Sequence, residues 1–234
     1  LDIPLFDTRK IWRACTVTAN REKSLLSNLI DLAIRRGEAD SNPCRQVHKN
    51  FEQPRMQSLS KVDFEGFITW LKNQGGRRFS IAQMAEFCAY SGSRKIEFLN
   101  LTWQQVNFDD CTIRMTRAKQ RGSKKGNIVD VITMSPSLMD LMTVIRNSNV
   151  NPKYVFPIQK GMPYTASGFK GYLGKLKCEA KLAGIEFNGT FHHLRAYYTT
   201  AHKAKTGALP DLHANPETTA RIYDRTKEFN RNST

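Results

Sequence analysis

The sequence predicts an α+β protein that is mainly α-helical, with one small antiparallel β-sheet and a short helical segment ahead of the main domain. Three observations predict it. Apolar residues recur at helical spacing along most of the 234 residues. Strand-like runs are confined to residues 111–134. A polar stretch containing Pro54 separates a first helical run from the rest. An apolar share of 40% is ordinary for a globular chain and allows at least one sizeable core.

Residues 1–19 show no clear period. From Asn20, read as an N-cap, the residues Leu25, Leu26, Leu29, Ile30, Ala33 and Ile34 recur at helical spacing, and Gly37 closes the run. Ser41-Asn42-Pro43 breaks the chain. The division this suggests is a helical piece over residues 1–50, a linker over 51–58 and a larger domain over 59–234. That domain opens with Ser60 and, three residues on, Asp63, a capping signature, followed by Phe64, Phe67, Ile68 and Leu71 on one face. Gly75-Gly76 ends this helix. Residues 80–90 read as another helix, Ser91-Gly92-Ser93 as a turn, and Arg94 to Leu101 as helical again. Thr112–Thr116 and Ile128–Met134 read as two strands of a hairpin with a long basic connection, Lys119 to Gly126. Ser135-Pro136 starts a helix with apolar face Leu138, Met139, Leu141, Met142 and Ile145. Thr165 to Gly184 is a long amphipathic helix interleaved with Lys170, Lys175, Lys177 and Lys181. Helices resume near Phe191 and at Asn215-Pro216-Glu217.

Charge and cysteines narrow the classes. Lys and Arg number 36 against 21 Asp and Glu, a formal net charge of +15, which points to a polyanionic partner. Cys15, Cys44, Cys88, Cys111 and Cys178 are odd in number and hold no CxxC pair, which argues against a zinc site or a disulfide framework and for a reducing interior. No apolar run reaches 18 residues and no secretory signal is recognisable, so the expected location is cytoplasmic. The chain begins at Leu1 with no Met, and an upstream segment is expected.

Four separated segments suit a phosphodiester: Ser91 to Leu101, the hairpin with Lys119, Phe191-His192-His193-Leu194-Arg195, and Leu212 to Tyr223. Their order resembles the catalytic domain of the tyrosine recombinases, the family of the phage integrases. Gly92, Arg94, Glu97, Leu99 and Leu101 match its first box, Lys119 its hairpin lysine, and His192 with Arg195 its His-x-x-Arg. His213, Thr218, Thr219 and Tyr223 match the last box. Each motif alone is weak; the four in order are specific, and the resemblance covers roughly residues 57–226. The fold it implies is a tyrosine-recombinase catalytic domain, with residues 1–50 as the last part of a core-DNA-binding domain.

The chemistry agrees with the match. A phosphodiester under attack spreads negative charge onto its non-bridging oxygens. Two guanidiniums, Arg94 and Arg195, hold such oxygens with forked donors that keep their charge. Charge stabilised this way calls for no metal, and no carboxylate cluster of the two-metal kind is visible. A phenol with an unperturbed pKa of about 10 needs nearby positive charge or a base, which His192 and the arginines supply. The resemblance implies Tyr223 as nucleophile, Lys119 as general acid toward the leaving 5′-oxygen, and His213 as a donor to the phosphate. Glu97, three residues after Arg94, suits a supporting role on the same helical face. The implied product is a 3′-phosphotyrosine, which conserves bond energy, and the chain carries no GxxxxGK[ST] loop for a nucleotide cofactor.

Two assignments stay open. Lys124 and Lys125 share the connection with Lys119, and they read as DNA-backbone contacts together with Lys170 and Lys175. Asp211-Leu212 stands where the family has Leu-Gly, and the span from Arg195 is a few residues short, which leaves His202 as the fallback for His213. The expectation is a site-specific recombinase of a phage or other mobile element. It acts on double-stranded DNA as a homo-tetramer in a bacterium, with no cofactor, metal or membrane. A type IB topoisomerase and a non-catalytic DNA-binding module are the alternatives.

Overall fold

The computed structural model describes residues 16–52, 59–117 and 129–212. The chain divides into two compact units, Leu1–Met56 and Gln57–Thr234.

In the first unit, α1 spans Thr16–Arg35. It begins ahead of Asn20, which is a buried residue of the helix and not its cap. The Asn20 amide has another task. Its Nδ2 donates to the Asn50 carbonyl and to Glu52 Oε1, both at 2.8 Å, and its Oδ1 accepts from the Asn50 N–H at 2.8 Å. An amide that offers donor and acceptor together can satisfy both polar groups of an extended residue. Asn42 works similarly beyond the helix end. It caps the 3-10 turn Pro43–Arg45 by accepting from Cys44 N–H, and its Nδ2 donates to Ser27 O at 3.0 Å and Asp31 Oδ1 at 2.7 Å.

The second unit starts with α2, Lys61–Gln74, capped by Ser60 Oγ, which accepts from Asp63 N–H at 3.0 Å. Phe64, Phe67, Ile68 and Leu71 are its buried face, as the period requires. Gly75, at φ +66°, ends α2 and leads straight into α3, Gly76–Ser91. The second glycine therefore opens a helix instead of extending a loop to residue 80. α3 is the central helix: Ile81, Ala82, Met84, Ala85, Phe87, Cys88 and Ala89 are all buried, and it packs on the elements before and after it.

After α3 the chain makes only one helical turn, α4 at Lys95–Phe98, and not the longer helix expected to Leu101. A 3-10 turn at Trp103–Gln105 then feeds β1, Val106–Asn107, a strand too short to leave a period in the sequence. β1 pairs antiparallel with β2, Thr112–Thr116, which pairs antiparallel with β3, Val129–Thr133. The register sets Ile113 opposite Ile132 and Met115 opposite Asp130. Directly opposed residues share a face, so Ile113, Met115, Asp130 and Ile132 look inward together.

Three further helices follow among the described residues. α5, Pro136–Ser148, has Ser135 as its cap and Pro136 in its first turn. α6, Ala166–Leu182, is capped by Thr165, and α7, Phe191–Thr206, by Thr190. An aromatic cluster joins these elements. Phe98 of α4, Phe169 of α6 and Phe191 of α7 meet with ring centroids 4.8 to 6.3 Å apart, and Phe87 and Phe156 extend the cluster. Burial of such rings drives folding, and their tilted and edge-on contacts fix the angle between helices. Among the described residues, no helix is long and apolar enough to cross a membrane.

Candidate active site

The site is assembled on that aromatic cluster. Arg94 immediately precedes α4, which ends in Phe98; Lys170 follows Phe169; His192 follows Phe191. Each polar residue is thus within about one helical turn of a ring that is 0 to 5% exposed.

The turn between α3 and α4 needs Gly92 for two reasons. Its φ of +64° is left-handed, and it closes α3 by donating its N–H to Cys88 O at 2.9 Å. A Cβ at this position would also collide with the ring of Tyr198 on α7. Ser91 and Ser93 are buried on either side, and the Ser93 N–H donates to Ser91 Oγ at 3.2 Å. The Ser93 hydroxyl reaches Met115 Sδ at 3.4 Å, which ties the turn to the sheet.

Arg94 is held from one carboxylate. Glu97 Oε2 accepts from the Arg94 backbone N–H at 2.7 Å, and Glu97 Oε1 accepts from the Arg94 Nη1 at 2.9 Å. The Glu97 side chain is 5% exposed and that of Arg94 16%. A sheltered, charge-assisted pair of this kind orients the guanidinium well, because the acid is fixed at both oxygens.

α7 supplies His192 and Arg195, three residues apart and so on neighbouring positions of one face. Arg195 is 3% exposed, an unusual burial for a cation. Its guanidinium donates to two carbonyls, Gly92 O and, at 2.9 Å, Leu212 O. It therefore bridges the Gly92 turn to Leu212. Below it, the Cys88 thiol donates to Ser93 O at 3.2 Å. Burial pushes that thiol up to about 12, and the Arg195 charge only partly opposes the effect, so Cys88 is a packed thiol and no nucleophile. Burial likewise raises the Tyr198 phenol above its ordinary value, again against the pull of Arg195.

Two cavities flank Arg195. One, of about 440 Å³, is lined by Arg94, Lys95, Lys170, His192 and Arg195 with Ser93, Ile96, Phe169, Leu173, Thr190 and Phe191. The other, of about 470 Å³, takes in Gly92, Glu97, Arg117, Asp130, Arg195, Tyr198, His202 and Leu212. The first is lined by two arginines, a histidine and two lysines, residue types whose donors suit a tetrahedral oxyanion. Among the described residues, no group of three His, Cys, Asp or Glu side chains is arranged to hold a metal ion.

Of the residues expected from sequence, Arg94, His192, Arg195 and Lys170 come together, with Glu97 behind Arg94. Lys175 does not line either cavity; it lies 4.0 Å from Glu179, which also pairs with Arg78. His202, the fallback histidine, lies on the wall of the second cavity. Lys119, Lys124, Lys125, His213 and Tyr223 lie outside the described residues. Sequence reasoning missed Lys95, although it adjoins Arg94, and Arg117 with Asp130, whose only signal was the alternation of the strands.

Residues 58–228 match the model of a family described as the phage integrase family. Solved structures share the fold. The Tn1549 transposon integrase, in complex with circular intermediate DNA, superposes with a TM-score of 0.68 at 20% identity, over 89% of this chain and 75% of that one. A lambda integrase dimer bound to a COC′ core site gives 0.68 at 14% identity, over 100% and 85%. A lambda integrase tetramer bound to a Holliday junction gives 0.70 at 14% identity, over 97% and 65%. No curated protein matches the chain.

Proposed function

The chain belongs to the phage integrase family of tyrosine recombinases, and from that premise we propose that it is a site-specific recombinase that cuts and rejoins DNA through a 3′-phosphotyrosine at Tyr223. The observation that carries this reading is the convergence of Arg94, His192 and Arg195 on one cavity. In the proposed step the Tyr223 phenol gives up its proton to His192 and its oxygen bonds to phosphorus while the bond from phosphorus to the 5′-oxygen breaks. Arg94 and Arg195 take up the charge on the non-bridging oxygens, and His192 and His213 add hydrogen bonds. Lys119 delivers a proton to the departing 5′-oxygen. A 5′-hydroxyl of another strand then reverses the step, so the energy of the broken bond is kept. Glu97 acts through Arg94, which it holds at two points.

The substrate is double-stranded DNA, and Lys124, Lys125, Lys170 and Lys175 are assigned to its backbone. The active assembly is a homo-tetramer on two duplexes, as the lambda integrase tetramer on a Holliday junction suggests by analogy. Residues 1–50 form part of a core-DNA-binding domain, and the biological role is integration or excision of a phage or mobile element in the bacterial cytoplasm.

The test is a nicked suicide duplex carrying the attachment sequence of the element that encodes the chain. The expected result is an adduct that survives denaturation and is absent in Tyr223→Phe. No adduct with the parent, or the same adduct with Tyr223→Phe, overturns the reading.

A further inference from the structure

The face of the sheet that looks inward is apolar until its last position. Alternation along β2 puts Ile113 and Met115 on that face, both buried, and sends Arg117 the same way one step beyond the strand. The register places Asp130 opposite Met115 on the same face. Arg117 Nε donates to Asp130 Oδ1 at 2.6 Å, with side chains 12% and 33% exposed. Both line the 470 Å³ cavity that also contains Gly92 and Arg195.

A sheltered ion pair is a poor way to stabilise a sheet, because desolvation offsets most of the attraction and an apolar pair of similar size does as well or better. The pair uses only one edge of the Arg117 fork. Among the described residues, Nη1 and Nη2 of Arg117 have no acceptor. An arginine clamped at Nε, with no acceptor for its Nη groups among the described residues, is oriented for a second planar or tetrahedral anion.

We propose that Arg117, clamped by Asp130, is a phosphate-binding residue. It would take a DNA backbone phosphodiester on the sheet side of the catalytic turn, next to the one held by Arg94 and Arg195. This rests on the reading that the site takes DNA. An inward charge on an edge strand also discourages pairing with another sheet, and that role predicts no effect on DNA.

The two roles separate by salt dependence. Binding of the full chain to a short duplex of mixed sequence is measured over a range of salt concentrations, alongside thermal melting. Each lost phosphate contact flattens the slope of log K against log salt by roughly 0.9. Arg117→Ala is expected to flatten it by that amount, and Arg117→Lys, which keeps the charge, to retain most of it. Asp130→Asn keeps an oxygen that can accept from Arg117 Nε but removes a negative charge from the DNA side, and is expected to tighten binding by roughly threefold at low salt, the opposite of what a damaged hairpin would do. If Arg117→Ala does not fold, the other two variants decide. A steep slope in the parent that Arg117→Ala leaves unchanged overturns this inference alone, as does Asp130→Asn with unchanged or weaker binding. A flat slope in the parent overturns the DNA reading beneath it.

Discussion

In α1, Leu25, Leu26 and Leu29 recur at helical spacing and yet stand 61, 52 and 54% exposed, while the buried residues of the helix are Ala19 and Asn20. In α7 the pattern is used in reverse. Phe191, Leu194 and Ala196 are buried, and between them Arg195 is buried to 3% exposure. Both segments read as helices, and both are helices. The period of a sequence reports the repeat of the backbone and which residues share a face. It does not report what covers that face. In α7 the cover is the aromatic cluster, the Gly92 turn and the residues around Cys88. A cation carried into such surroundings needs acceptors, which Gly92 O and Leu212 O provide.

The largest expected effect is on α7. Leu194 is fully buried, and Leu194→Ala removes packing from the centre of the second unit. A loss of about 2–5 kcal/mol is expected in urea denaturation, from transfer and cavity costs together. A loss below 1 kcal/mol, by the same scale, would mean that α7 is not seated as described.

Arg195 sharpens the contrast chemically. Arg195→Ala should lower adduct formation on the suicide duplex by about 10²–10³-fold, the usual cost of removing a preorganised donor to a developing anion. DNA binding should survive in large part, since most affinity comes from many scattered phosphate contacts. Arg195→Lys should recover little, because an ammonium cannot bridge two carbonyls and still present a fork. Equal loss of binding and cleavage in Arg195→Ala would make the residue a structural or anchoring one.

How much of this was legible in the sequence follows from the same contrast. Elements with a repeating apolar face or a capping residue, such as α2 after Ser60 and α5 after Ser135, were readable because cap and period agree. β1 was not, since two residues cannot show a period. The run after Arg94 was read as too long a helix because Leu99 and Leu101 continue an apolar pattern, although they are buried in a turn and a loop. Asn20 was misplaced for a related reason. Its residue type favours caps, yet it is recruited by Asn50 and Glu52, thirty and more positions away, and no local rule carries such a contact. The candidate site was legible where residue type and spacing were enough, at Arg94, His192 and Arg195. Arg117 and Asp130 were not, because an inward charge at a strand end becomes visible only once the register is known.

The smallest expected effect tests the α1 half of the comparison. Leu29→Ala changes a side chain that stands 54% exposed, so little apolar surface returns to water when it is truncated. Alanine is also the better helix former. The two effects oppose each other, and the change in stability of the full chain should stay within about 0.5 kcal/mol. A loss of 2 kcal/mol or more, of the size seen at buried leucines, would mean that the leucine face of α1 is covered in solution. The same substitution at Leu194 provides the scale within one protein. If both positions respond alike, exposure no longer distinguishes the two helices, and the lesson drawn from α1 fails.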